Sequence, residues 1–294
     1  METQPEAASR IYDQFAPTYD ASWHPAYLQR LIKHAPLHPG DKVLVPCCGT
    51  GLESFLAARI VGPQGLVVGV DISSGMLAEA RSRKARETTT TTSNDGDGLG
   101  NRIHLIQHDV TSLSTSTDPT LQSLCGKFNI LICSSAFVLF SCPLSVLTHW
   151  TTYLAPNGYM VIDITHERNM LPGSIIERVA TSSSLNLSTP YPSNRAWIRD
   201  RSSFARLLEE AGMRVEKIGV LDKVEGKPVL EFGIEDADAQ FDYVTEGAFA
   251  ANFDWEGKEE EAREMFREMW KREANDDGRV EVVDKLYLYV ARKL

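Results

Sequence analysis

Residues 42–51 read KVLVPCCGTG, and this stretch decides the fold. Val43, Leu44 and Val45 form a short apolar run of the kind that makes a buried strand. Pro46, Cys47 and Cys48 leave the strand, and Gly49-Thr50-Gly51 supplies a tight turn. Leu52, Phe55, Leu56 and Ile60 then recur at helical spacing. Thr50 with Glu53 three residues later fits a capping box, which marks where that helix starts. Strand, glycine turn and helix N-terminus together make a corner where the backbone approaches a ligand closely and unpaired N–H groups face it. A plain βα turn that binds nothing has the same local sequence.

On the N-terminal side, residues 8–35 read as helical. Ile11, Phe15 and Tyr19 lie four apart, and Pro17 must break or restart the run. Tyr12, Asp13, Phe15, Tyr19 and Asp20 gather aromatics and acids, which suits a cover on a sheet or a flap over a cofactor. Tyr27, Leu28, Leu31 and Ile32 form a second stripe.

On the C-terminal side, Leu66 to Val70 is a second apolar run, closed by Asp71 at 20 residues after Gly51. An acid there is where a Rossmann-type fold holds ribose hydroxyls, and it also suits a helix cap. Residues 86–101, with five consecutive threonines, read as a surface loop. Ile103–Gln107, Phe128–Cys133 and Tyr159–Ile164 read as further strands, with His108-Asp109-Val110, Ser134 and His166 at their ends. Asp163 sits inside an apolar run and needs a partner if buried. His166 is a loop residue or a candidate base, since it titrates in the useful range. Val215–Leu221 is a sixth strand and Val282–Ala291 a last one, apolar on both faces and so expected inside the sheet. Between them lies an acidic stretch rich in aromatics (Phe241, Tyr243, Phe249, Phe253, Trp255). It reads as a lid over an apolar substrate, a packed helix or a dimer surface.

The expected fold class is α/β: a Rossmann-like, seven-stranded, mostly parallel sheet with an antiparallel last strand and helices on both faces. The expected organisation is an N-terminal helical cap (1–40), a core (41–221) with a substrate-lining segment (166–198), an acidic aromatic insertion (222–278) and the last strand (279–294). A net charge of −10 argues against nucleic acid. No apolar run reaches the roughly 18 residues that span a membrane. METQPEAAS has neither a basic start nor an apolar core, so a cytoplasmic protein is expected. Five cysteines without metal spacing suit free thiols in a reducing compartment, and no metal site is expected.

Taken in order, VLVPCCGTG (43–51), VVGVDISSGML (67–77), HDV (108–110), FNILICSSAFVLF (128–140) and LAPNGYMVIDI (154–164) resemble a class I S-adenosylmethionine (SAM)-dependent methyltransferase. YDQFAPTYD (12–20) is similar to the N-terminal segment of the ubiquinone/menaquinone C-methyltransferase group and its small-molecule relatives. The resemblance implies that Cys47, Gly49, Thr50 and Gly51 lie under the methionine part of SAM. Asp71 would hold the ribose, with Ile72 and Met76 beside the adenine. Asp109 would accept from the adenine amino group, with the Val110 N–H nearby. Ser134 and Phe137 would border the transferred methyl, and Tyr12 and Tyr19 would close the site. Two positions depart from the family: Val45 stands where an acid is usual, and Cys47 where a glycine is usual.

The expected function is methyl transfer from SAM to O, N, S or C of a small apolar or aromatic metabolite, with Trp255 and Phe137 against the substrate and His166 as base. The insertion leaves a homodimer open. A SAM-fold protein that assists a rearrangement or cyclisation, or that partners another enzyme, is the alternative. A nicotinamide-dependent oxidoreductase fits less well, because the full G-x-G-x-x-G is missing.

Overall fold

The computed structural model describes residues 4–89, 98–187, 200–226, 229–245 and 255–294 of the 294. The helices are α1 (Gln4–Tyr19), α2 (His24–Leu31), α3 (Leu52–Val61), α4 (Ser74–Thr89), α5 (Pro119–Ser123), α6 (Pro143–Thr151), α7 (Leu171–Ala180), α8 (Arg201–Glu210), α9 (Ala237–Thr245) and α10 (Glu259–Arg272). The strands are β1 (Lys42–Pro46), β2 (Leu66–Asp71), β3 (Ile103–Gln107), β4 (Phe128–Cys133), β5 (Leu154–Thr165), β6 (Met213–Asp222), β7 (Leu230–Gly233), β8 (Arg279–Val282) and β9 (Lys285–Lys293).

Seven strands form one mostly parallel sheet in the order β3-β2-β1-β4-β5-β9-β6 with an antiparallel strand, the expected fold class. β1 is an interior strand, parallel to β2 on one side and β4 on the other. The strand order reverses there, which opens a crevice at the carboxyl ends of the strands. Val43, Leu44 and Val45 are at most 1% exposed, as a strand covered on both faces requires. β9 lies between β5 and β6, an interior place that matches its two apolar faces.

The chain divides into two compact units. The first holds residues 1–164, 204–225 and 287–294, and so nearly all of the large sheet. The second joins residues 165–203 to 226–286, two stretches the sequence treats separately. Within it α7, α9 and α10 pack around Ile175, Phe241, Phe266 and Trp270, each fully buried. Residues 279–282, expected to be part of the last strand, instead form a separate strand, β8, which pairs antiparallel with β7.

Four local expectations are corrected. Of the stripe Ile11–Phe15–Tyr19 only Tyr19 faces inward: Ile11 is 40% and Phe15 56% exposed, while Ala16 is buried. On α3 the buried face is Ser54, Phe55, Ala57, Ala58 and Val61, and Ile60 is exposed. Small residues let this helix lie close on the sheet, so the large-residue spacing misleads. The Thr50–Glu53 capping box is absent. Gly51, in the left-handed region at φ 84°, is the N-cap, and both side chains are engaged elsewhere. Residues 86–89, expected to belong to the threonine-rich loop, are instead the end of α4. Residues 90–97 lie outside the described residues, as do 188–199 of the expected substrate-lining segment and Phe249 and Phe253 of the insertion.

Candidate active site: an acidic cleft at the glycine corner

Where β1 ends, the chain turns back on itself within a few residues. The Cys48 N–H donates to the Val70 carbonyl at 3.1 Å and the Gly51 N–H to the Cys48 carbonyl at 2.8 Å. Cys47 has φ 57°, a left-handed conformation that costs a residue with a Cβ about 1 kcal/mol or more. That is the physical reason a glycine is usual there. The Cys47 side chain faces the buried Cys133 thiol, whose pKa is pushed up by burial and by this neighbour.

This corner opens into a cleft of about 860 Å³, open solvent included, all of whose lining belongs to the first unit. The cleft brings together Tyr12, Tyr19, Cys47, Gly49, Thr50, Asp71, Ile72, Met76, Asp109, Val110 and Ser134 of the residues singled out in the sequence. Gly51 is the turn residue behind them. Asp71, 8% exposed, accepts from the Gly49 N–H at 2.7 Å and the Ser73 N–H at 2.9 Å. Burial pushes its carboxyl pKa up, and these backbone bonds pull it back. Asp109 accepts from the backbone N–H and hydroxyl of Thr111, both at 2.8 Å, which fixes the turn after β3.

The N-terminal helix is latched across this corner. Asp13 accepts from the Ser73 hydroxyl and the Gly75 N–H at the start of α4, and these bonds lower its pKa. Asp20 accepts from the Thr50 hydroxyl and pairs with Arg83. The inward face of α1 is therefore Tyr12, Asp13 and Tyr19, a polar set that an apolar-periodicity count cannot find.

Phe137 is corrected from substrate contact to core. It is fully buried, edge-on to Phe140, Trp150 and Phe204, and Leu139 and Phe140 line the cleft instead. The short helical turn after Ala136 points Phe137 inward. Trp255 and His166 belong to the second unit. Trp255 stacks on the buried Phe241 at 5.6 Å. The His166 ring accepts from the Arg168 N–H, and burial lowers its pKa.

Two buried acids stand out. Asp163, 1% exposed, accepts from the Tyr27 hydroxyl at 2.7 Å and the Ser135 N–H at 2.6 Å. Burial nevertheless raises its pKa to about 6. The other, Glu53, was read from the sequence only as half of a helix cap. It lines the cleft, accepts from the Ser134 hydroxyl and has its pKa raised to about 7, chiefly by burial.

The Asp163 pKa has a consequence for stability. A carboxyl whose pKa is higher folded than unfolded contributes stability that is complete below about pH 4. That contribution is lost as pH rises through about 6. Wild type is expected to lose stability across this window relative to Asp163→Asn, measured as urea midpoints from pH 4 to 7. Parallel midpoint curves would contradict the assignment.

Residues 37–212 match the family described as methyltransferase domain. This chain belongs to that family. It is 35% identical over 204 residues to the demethylmenaquinone methyltransferase of Symbiobacterium thermophilum, a match covering 60% of this chain and 78% of that one. It is 37% identical over 86 residues to the 2-phytyl-1,4-naphthoquinone methyltransferase of Synechococcus elongatus, but there the match spans 27% of this chain and only 37% of the relative. Among solved structures, a protein of Bacillus halodurans C-125 described as a candidate methyltransferase superposes with a TM-score of 0.54 at 19% identity, covering 91% of this chain and 99% of that one. The [4+2]-cyclase SpnF gives 0.56 at 13% identity, with 99% and 97% covered. Both show the fold alone. Family membership sets aside the nicotinamide reading and implies SAM as cofactor. The cleft fits that cation: Glu53, Asp71 and Asp109 line it, and among its lining residues there is no lysine, arginine or histidine.

Proposed function

We propose that this protein transfers a methyl group from SAM to a small apolar or aromatic acceptor of quinone-like ring chemistry. The observation that carries the reading is the cleft itself. It is acidic at the glycine corner, with no basic side chain among its described lining residues, and apolar at Pro5, Ala8, Leu139 and Phe140. The relatives named for demethylmenaquinone and phytylnaphthoquinone support a ring acceptor.

Bound SAM supplies an electrophilic methyl on a sulfonium, so the protein's own work is placement and exclusion of water. Asp71 and Asp109 offer carboxylates for ribose hydroxyls and an adenine amino group. Ile72, Met76 and Val110 offer apolar walls for the base. Tyr12 and Tyr19, held by the Asp13 and Asp20 latches, cover the corner. A base is needed where the acceptor is a carbon or a weakly acidic hydroxyl. His166, the base expected from the sequence, belongs to the second unit and is not among the residues that line the cleft. The test is incubation with radiolabelled SAM and a panel of hydroquinones, phenols and amines. Label is expected in a hydroquinone or phenol product. Label in none of the panel, with SAM bound, would overturn the acceptor class.

A further inference from the structure

We propose that Glu53 is the anionic anchor for the ammonium group of the cofactor's amino-acid end, in place of the acid missing at Val45. The inference rests on the SAM-binding reading.

Val45 cannot serve. It is 1% exposed inside β1, between β2 and β4, and offers only hydrocarbon. Glu53 stands eight residues further on, in the first turn of α3, and its carboxyl reaches the same cleft. It is 7% exposed and accepts a hydrogen bond from Ser134, which follows β4 and also lines the cleft.

A carboxyl in this setting does not serve stability. Burial disfavours its charged form, and the charges acting most strongly on it, Asp163 and Asp71, are themselves acids. The other titratable groups that face it are Tyr19 from α1, Tyr27 from α2, Cys48 from the glycine turn and Cys133 from β4, none of them cationic. A buried acid held only by one hydroxyl and its own backbone N–H, among acidic neighbours, is held ready for a cation that arrives from outside. The amino-acid end of SAM carries one.

The same arrangement couples binding to a proton. With its pKa near 7 in the empty cleft, Glu53 is partly protonated at pH 6.5. An ammonium beside it favours the ionised form, so binding expels a proton to solvent.

The test uses the full chain and two neutral-sulfur ligands, S-adenosylhomocysteine (SAH) and 5′-methylthioadenosine. The second keeps the nucleoside and thioether but lacks the amino-acid end. Calorimetry at pH 6.5 is run on wild type and Glu53→Gln in buffers of different ionisation enthalpy. Wild type should prefer SAH. Glu53→Gln should lower SAH affinity about 10- to 100-fold, the range of a charge-assisted hydrogen bond, and leave methylthioadenosine within about twofold. Wild type should release a proton on binding SAH, and the variant should not. Equal weakening of both ligands, or an unchanged preference, overturns the anchor role while leaving SAM binding standing. Wild type that binds neither ligand overturns the cofactor reading and this proposal with it.

Discussion

Asp71→Ala is expected to lower SAM affinity by about 100-fold. The reason is the double duty of one buried carboxylate. Its oxygens hold the Gly49 and Ser73 N–H groups, which ties the glycine turn to the start of α4. The strand-end position that follows Gly51 also suits two ribose hydroxyls. Charge-assisted hydrogen bonds are worth about 1.5–3 kcal/mol each, and leaving a buried N–H unpaired costs about 1–3 kcal/mol. The alanine variant therefore loses both ligand contacts and corner geometry, and its melting temperature should fall as well. Asp71→Asn separates the two effects. It keeps one carbonyl acceptor but sets its NH2 against the other backbone N–H, so stability should return only in part while affinity stays low. Calorimetry with SAM and a thermal melt on each variant check this. Unchanged affinity in Asp71→Ala would remove Asp71 from the ribose role.

Trp150→Ala is expected to destabilise the protein by about 3–5 kcal/mol, the usual cost of truncating a buried aromatic to alanine. Trp150 is fully buried in α6, edge-on to Phe137 and Phe140. Its indole N–H donates to the Val110 carbonyl at 2.8 Å. Removing the ring leaves a cavity beside Phe137 and orphans a carbonyl in the turn that presents Asp109 and Val110 to the cleft. Trp150→Phe keeps most of the packing and loses only the N–H. It should cost about 1–2 kcal/mol, nearer the worth of one buried hydrogen bond. Urea unfolding of the two variants measures the difference. A loss under about 1 kcal/mol for Trp150→Ala would contradict the packing described here.

Much of this was legible in the sequence because strands announce themselves. Val43–Val45, Leu66–Val70 and Phe128–Cys133 are uninterrupted apolar runs, and their spacing around one glycine turn matches the strand order observed. The gathering of these residues in one cleft was legible for the same reason: Asp71 ends its strand and Asp109 follows its own, so topology brings them to one edge.

What was misread concerns side-chain direction. Thr50 and Glu53 have capping-box spacing, but long-range partners, Asp20 and Ser134, outcompete the local bonds. Phe137, expected against the substrate, is core instead, and only the turn after Ala136 decides it. The inward face of α1 is chosen by Asp13 and Asp20 reaching α4 and Thr50, not by its apolar residues. The joining of residues 165–203 with 226–286 depends on contacts between segments far apart in sequence, which no local pattern encodes.

Val45 and Cys47 bear most directly on whether the corner works. Cys47 meets the backbone demand at an energetic cost and packs on Cys133. Val45 leaves an acid missing, and Glu53 stands in the same cleft. The most direct measurement is calorimetric titration of the purified protein with SAM and, separately, with SAH. The account predicts saturable binding of both at micromolar or tighter affinity, one molecule per chain. Absence of binding by either at millimolar concentration would contradict it, and would mean that these two substitutions have dismantled the site.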